Sequence, residues 1–311
     1  MFNRIIAVLL LLFTLTAQAQ PKPIKIVIPY GVGGLVDNSN RRLQEALSAE
    51  LNRPIQIDPR PGAAGYIGLK HMATNKGDEV MITILDAMAI SNVILLHDDI
   101  ALEDFKYLVQ IGVTTSVALA VKKGSPLKNI DTWRTLGRPV NVGINGIGGA
   151  HHYYSWLMES QAKLNITYVP YKGVNEMLNN LIGGHIDAGW ANLPSLETHE
   201  QAGKIDIVAV VHPQRAESAP HVPTFRELGV TTPFNAKWLL ISNDTTDLAT
   251  VKQVETTLVK LINDAQFAQI MKATGINVEP RLVGQAQQSM TASLKQQAKF
   301  IEYIKTTKGN K

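Results

Sequence analysis

Ile24-Lys25-Ile26-Val27-Ile28-Pro29-Tyr30-Gly31-Val32-Gly33-Gly34-Leu35-Val36-Asp37 is the stretch on which the reading of the fold turns. A β-branched apolar run stops at Pro29 and enters a glycine-dense turn. An amphipathic helix follows, with Leu43, Ala46, Leu47 and Leu51 on one face. Strand, glycine turn and helix start together aim several backbone N–H groups at one point, where an anion can sit. The pattern returns at Pro139-Val140-Asn141-Val142-Gly143-Ile144-Asn145-Gly146-Ile147-Gly148-Gly149-Ala150, ahead of a helix expected from His151. Two such turns suggest a ligand held between two lobes.

Upstream, residues 1–19 read as a secretory leader. Arg4 supplies the positive start, Ile5 to Leu15 the apolar stretch, and Ala17-Gln18-Ala19 the cleavage site before Gln20. The apolar stretch is short for a membrane span. The chain has no cysteine, which excludes disulfides, thiolate chemistry and an acylated N-terminal cysteine. An exported chain without disulfides must rely on its core for stability. Lys and Arg number 30 against 26 Asp and Glu, a net +4, with no basic run of the kind nucleic-acid binders use. The expectation is a free periplasmic protein, monomeric, with no nucleic-acid partner, no cofactor and no metal.

After Pro23, short apolar runs alternate with amphipathic stretches. Strands are expected at 24–28, 54–57, 80–85, 107–111, 117–121, 140–144, 166–169, 186–190, 207–211 and 238–241. Helices are expected at about 38–51, 66–74, 130–136, 151–162, 175–182, 247–262, 265–273 and 286–305. This alternation predicts an α/β fold with largely parallel sheets, in which ligands sit beyond the carboxyl ends of strands. Breaks at Val121-Lys122-Lys123-Gly124-Ser125-Pro126 and at Leu228-Gly229-Val230-Thr231-Thr232-Pro233 divide the chain. Lobe 1 would comprise 20–121 and 234–311, lobe 2 would comprise 122–233, and the two crossings would form a hinge.

Five fragments in order carry a family resemblance. They are the first turn, read as P-[FY]-x-x-G-G-x-x-D; Arg60-Pro61-Gly62-Ala63-Ala64-Gly65-Tyr66-Ile67-Gly68; Val169-Pro170-Tyr171-Lys172-Gly173; Gly183-Gly184-His185-Ile186-Asp187; and Val222-Pro223-Thr224-Phe225-Arg226-Glu227-Leu228-Gly229. Together they resemble the Bug/TctC-type substrate-binding proteins of tripartite tricarboxylate transporters. The resemblance implies a type II periplasmic binding protein, or Venus flytrap, gripping a small organic carboxylate through backbone amides and water from a loop in each lobe. It also implies the membrane subunits of such a transporter as partners. Two departures stand out. The family usually carries a proline where Gly31-Val32 stands, and small hydroxyl residues where this chain has Asp86-Ala87-Met88. An acid at the cleft mouth repels a second carboxylate and suits an amine or another donor-rich group.

The expected ligand contacts are Tyr30, Gly31, Val32, Gly33, Gly34, Asp86, Ala87, Met88, Asn145, Gly146, Gly148, Gly149, Ala150, His151, Tyr171, Asp187 and Asn192. Glycine lets a ligand approach the backbone without a Cβ clash, and Asp37 is placed to cap the first helix. Asn145 offers an amide or satisfies its own turn; Tyr30 offers an apolar ring with a polar tip or belongs to the core. Asp187 suits bracing of loops as much as ligand contact. G-x-G-x-x-G fails at Val36 and at His151, and no G-K-[ST] follows either turn, which argues against dinucleotide or nucleotide binding. His151 and His152 diverge by about 100° on a helix and cannot share one ion. With no G-x-S-x-G elbow, a secreted hydrolase is the weaker alternative, and a ligand-presenting sensor shares the fold.

Overall fold

A computed structural model of the chain describes residues 23–75, 77, 79–114, 116–233, 236–279 and 284–308; the expected leader lies outside them. Among the described residues no helix is long and apolar enough to cross a membrane.

The first lobe is built on a six-stranded sheet. It contains β1 (Ile24–Ile28), β2 (Ile55–Pro59), β3 (Val80–Asp86), β4 (Phe105–Thr114), β10 (Lys237–Asn243) and β11 (Ile276–Val278), in the order β11-β4-β10-β3-β1-β2. The second lobe holds β5 (Val117–Lys122), β6 (Val140–Ile144), β7 (Ile166–Pro170), β8 (Ala188–Asn192) and β9 (Ile205–Val211), in the order β7-β6-β8-β5-β9. Apart from β11 at one edge, the two sheets have the same plan, although no repeat is readable in the sequence.

Both sheets are mixed rather than largely parallel. β1, β2 and β3 run parallel, as do β6, β7 and β8, but β10 runs antiparallel to β3 and β4, and β5 antiparallel to β8 and β9. The reason lies in the crossings. Parallel strands end at the cleft, so a chain arriving from the other lobe enters its new sheet at that end and must run away from it.

The helices follow in chain order: α1 (Leu35–Leu51), α2 (Tyr66–Thr74), α3 (Ala87–Leu96), α4 (Asp131–Thr135), α5 (Ala150–Ala162), α6 (Val174–Gly183), α7 (Leu193–Gln201), α8 (Leu248–Ile262), α9 (Ala265–Thr274) and α10 (Gln285–Lys308). α1 buries Leu43 and Leu47 on β1 and β3, as its periodicity predicts. α3, α7 and β11 lie outside the elements expected from sequence. α3 reads Ala-Met-Ala-Ile-Ser-Asn-Val-Ile-Leu-Leu, apolar on all sides, so it carries no amphipathic period to detect. It is buried from Ala87 through Val93 and packs along α10.

The lobe limits differ from those expected. β5 belongs to the second sheet, so the first crossing falls between Thr114 and Val117 rather than after Val121. The C-terminal helix is not confined to the first lobe. Ala286 and Met290 of α10 pack in the first lobe, while Phe300, Ile301 and Ile304 join Trp133, Tyr153 and Met158 in the core of the second. Met88 of α3 joins that same second core.

Candidate functional site

Four helices from both lobes begin at one cavity of about 90 Å³, several times the space a single water needs. Their N-caps are Gly34 (α1), Gly149 (α5), Gly173 (α6) and Asn192 (α7), and none of the four donates a side-chain acceptor to its own helix. Gly34, Leu35, Val36, Ala150, His151, Gly173, Val174 and Asn192 from these starts line the cavity. At α7 the Leu193 N–H already donates to the Ser116 carbonyl at 3.1 Å and Pro194 has no N–H, so the converging first-turn amides that concentrate positive potential are those of α1, α5 and α6. No Lys or Arg is among the described lining residues, so the positive potential there comes from dipoles and not from a cationic side chain.

Around those starts stand Tyr30, Asn145, Tyr154, Asp86 and, from the two crossings, Thr114, Val117, Ala236 and Trp238. The crossing residues were not expected from sequence. They are ordinary strand-end residues, and only the reversal of β5 and β10 brings them to the cleft.

The lobes are closed on each other. The Gly31 N–H donates to the Lys172 carbonyl at 3.0 Å, and Asn175 Nδ2 donates to the Val32 carbonyl at 3.2 Å. Asn92 Nδ2 reaches the Gly148 carbonyl at 2.6 Å, and Asn192 Nδ2 the Thr274 carbonyl at 3.4 Å. At Gly31 a Cβ would stand 2.9 Å from Gly173 Cα, so glycine there is demanded by the opposite backbone.

Several expected contacts are placed elsewhere. The Gly33 N–H donates to Asp37 Oδ2 at 2.9 Å, and the Gly148 N–H to His152 Nδ1 at 3.0 Å. In each glycine turn a side chain four residues on therefore consumes the central amide, and the amides facing the cavity are those of the helix starts just beyond. Asp37 holds its turn from inside α1, which begins at Leu35, rather than capping it. Val32 is 65% exposed, with only its carbonyl engaged. Gly33, at φ +83°, and Gly148, at φ +86°, shape turns without lining the cavity. Gly149 caps α5 behind it, beside Asn145 Oδ1. Gly146 packs on Ala64, and Tyr171 borders a separate rim pocket with Lys172 and His97. Ala87 and Met88 face Ser289, Ser293 and Gln296 of α10 in another cavity. Asp187 forms a bidentate ion pair with Arg138, at 2.6 and 2.8 Å, and accepts the Asn141 N–H.

Tyr30, Gly31, Gly34, Asp86, Asn145, Ala150, His151 and Asn192 do meet at the cavity. The Tyr30 hydroxyl is committed to the Ala64 carbonyl at 2.7 Å, leaving its ring as wall. Asn145 Oδ1 accepts the His151 N–H at 3.3 Å. Burial pushes the His151 imidazole down to about 3, so it is neutral at physiological pH.

Asp86 is not at the cleft mouth but buried at 8% exposure, capping α3 by accepting the Ala89 N–H at 2.9 Å. Burial pushes its carboxyl up to about 6, against the pull of the α3 amides. The unfolded value is 3.8, so the folded state holds this proton through a window where the unfolded chain has lost it. Stability from this group is therefore full below about pH 4 and lost as pH rises through 6. Without ligand, urea unfolding of Asp86→Asn should gain on the wild type by roughly 2 kcal/mol between pH 4 and pH 7.5. Parallel profiles for the two proteins would contradict this account.

A family model described as "Tripartite tricarboxylate transporter family receptor" matches residues 39–307. Protein BugT of Bordetella pertussis is 28% identical over 216 residues, which span 67% of this chain and 66% of BugT. Among solved structures, R. palustris Rpa4515 with adipate superposes with a TM-score of 0.79 at 23% identity, covering 91% of this chain and 97% of that one. MatC (Rpa3494) from Rhodopseudomonas palustris with bound malate superposes at 0.74 and 19% identity, covering 88% and 98%.

Proposed function

This chain belongs to the tripartite tricarboxylate transporter receptor family, and on that premise we propose that it is an exported solute-binding protein. In this reading it captures a small organic carboxylate between its lobes in the periplasm and delivers it to the membrane subunits of a tripartite transporter. The observation that carries the reading is the convergence of the α1, α5 and α6 starts, two lobes contributing, on one cavity with no cationic side chain among its described lining residues. A carboxylate there accepts several charge-assisted N–H bonds at once and suits backbone dipoles better than a neutral solute does. Contacts bridging both lobes favour the closed form, so binding and hinge closure are one equilibrium. The relatives bound to adipate and to malate support the ligand class.

A thermal-shift screen of organic acids, malate, succinate and adipate among them, tests this. An acid at about 100 times its dissociation constant adds roughly 2.7 kcal/mol and raises the melting temperature. Neutral amides and sugars of equal size should give no shift. A screen in which sugars stabilise and no acid does would overturn the proposal.

A further inference from the structure

Three aspartates are buried among the described residues, and two of them have cations. Asp37 pairs with Arg41 at 2.9 Å, and Asp206 with Lys123 and Lys128 at 2.9 and 3.4 Å. Asp86 has no ion pair among the described residues, and no Lys or Arg lines the cavity it faces. Its hydrogen-bond partners are backbone amides at the start of α3, the Ala89 N–H among them at 2.9 Å. Buried carboxylates are ordinarily paired, because an uncompensated charge out of water is costly. Directly opposite Asp86, in the β3–β10 register, stands Trp238, which also lines the cavity. Trp238 is 5% exposed, and its Nε1 has no hydrogen-bond partner among the described residues. The same wall thus presents a carboxylate in want of a cation and an N–H in want of an acceptor, across from helix starts that attract an anion.

Resting on the carboxylate reading above, we propose that the ligand is an aminocarboxylate, its carboxylate at the helix starts and its ammonium on Asp86. Asp86 is then the specificity-determining residue of the cleft. It supplies the counter-charge for an ammonium and repels the second carboxylate of a dicarboxylic acid. An ammonium also offsets the burial that otherwise pushes the Asp86 carboxyl upward. The neutral His151 adds no competing positive charge on the opposite wall.

Calorimetry at pH 7.5 on the mature protein tests this with three matched series. One holds ω- and α-amino acids, the second the alkyl acids with methyl in place of ammonium, the third the corresponding dicarboxylates. The tightest aminocarboxylate should bind at least about tenfold more tightly than its methyl and carboxylate counterparts. Asp86→Asn should weaken it about tenfold or more while leaving the methyl acid within about threefold. Asn retains an acceptor for capping α3, and Asp86→Ser offers a second capping residue, so the fold is kept in both. A dicarboxylate or alkyl acid as the tightest ligand overturns the inference but leaves the carboxylate reading standing. So does an aminocarboxylate whose affinity ignores both substitutions. Binding by no member of any series defeats both.

Discussion

Gly31→Val is expected to weaken binding of the acid selected by the thermal screen by roughly 100-fold while the melting temperature stays within about 2 °C. Gly31 sits where the lobes touch. Its N–H donates to the Lys172 carbonyl, and a Cβ there would stand 2.9 Å from Gly173 Cα and 3.1 Å from the Lys172 oxygen. Both obstructing atoms are backbone, with no flexible tip to swing aside. Gly31 does not occupy the left-handed region, so valine meets no strain within its own lobe. The collision exists only when the lobes close, and an open hinge relieves it. The cost therefore falls on the closed population, and apparent affinity falls by that same fraction. Calorimetry gives the affinity, and small-angle scattering should show that ligand no longer contracts the molecule. Wild-type affinity in Gly31→Val would mean that this contact plays no part in closure.

Trp190→Ala acts instead on the second lobe as a folded body, with an expected loss of about 4 kcal/mol. Trp190 lies on β8 at 0% exposure, its ring 5.3 Å from that of Phe225 and 5.6 Å from that of Tyr154. Its Nε1 donates to Ser155 Oγ at 2.8 Å. Truncation opens a cavity among rigid rings and strands that cannot collapse to fill it, and it leaves the Ser155 hydroxyl without its donor. Urea unfolding followed by circular dichroism measures the loss. A change below about 1 kcal/mol would show that this core relaxes around the gap. The loss should be accompanied by weaker binding of the acid from the thermal screen, because His151, whose ring lies 6.4 Å from that of Trp190, also lines the cavity between the lobes.

Much of the fold can be read along the chain because its strands and helices differ in period. β1 and β6 are β-branched runs bounded by proline and glycine, and α1 and α8 carry apolar stripes at helical spacing. Both glycine turns follow from local chemistry in the same way. α3 escapes the same reading because burial on every side removes the polar face that periodicity needs. Asp86 shows the limit most sharply: its acidity is plain in the sequence, but its burial and its lack of a cation depend on where Arg41, Lys123 and Lys128 fall in space.

Two α/β halves, a glycine turn at the head of each, and a helix start behind each turn are written into the chain locally. These features depend on interactions within a few residues, and such interactions survive without knowledge of the rest of the chain. Which amides are left to face the cavity depends on three-dimensional packing, since Asp37 and His152 withdraw those of Gly33 and Gly148. The tertiary structure alone brought Val117 and Trp238, more than a hundred residues apart in the chain, to one wall. The physical reason is that strands entering from the opposite lobe must begin at the cleft, a condition set by the path of the whole chain and by no single stretch of it.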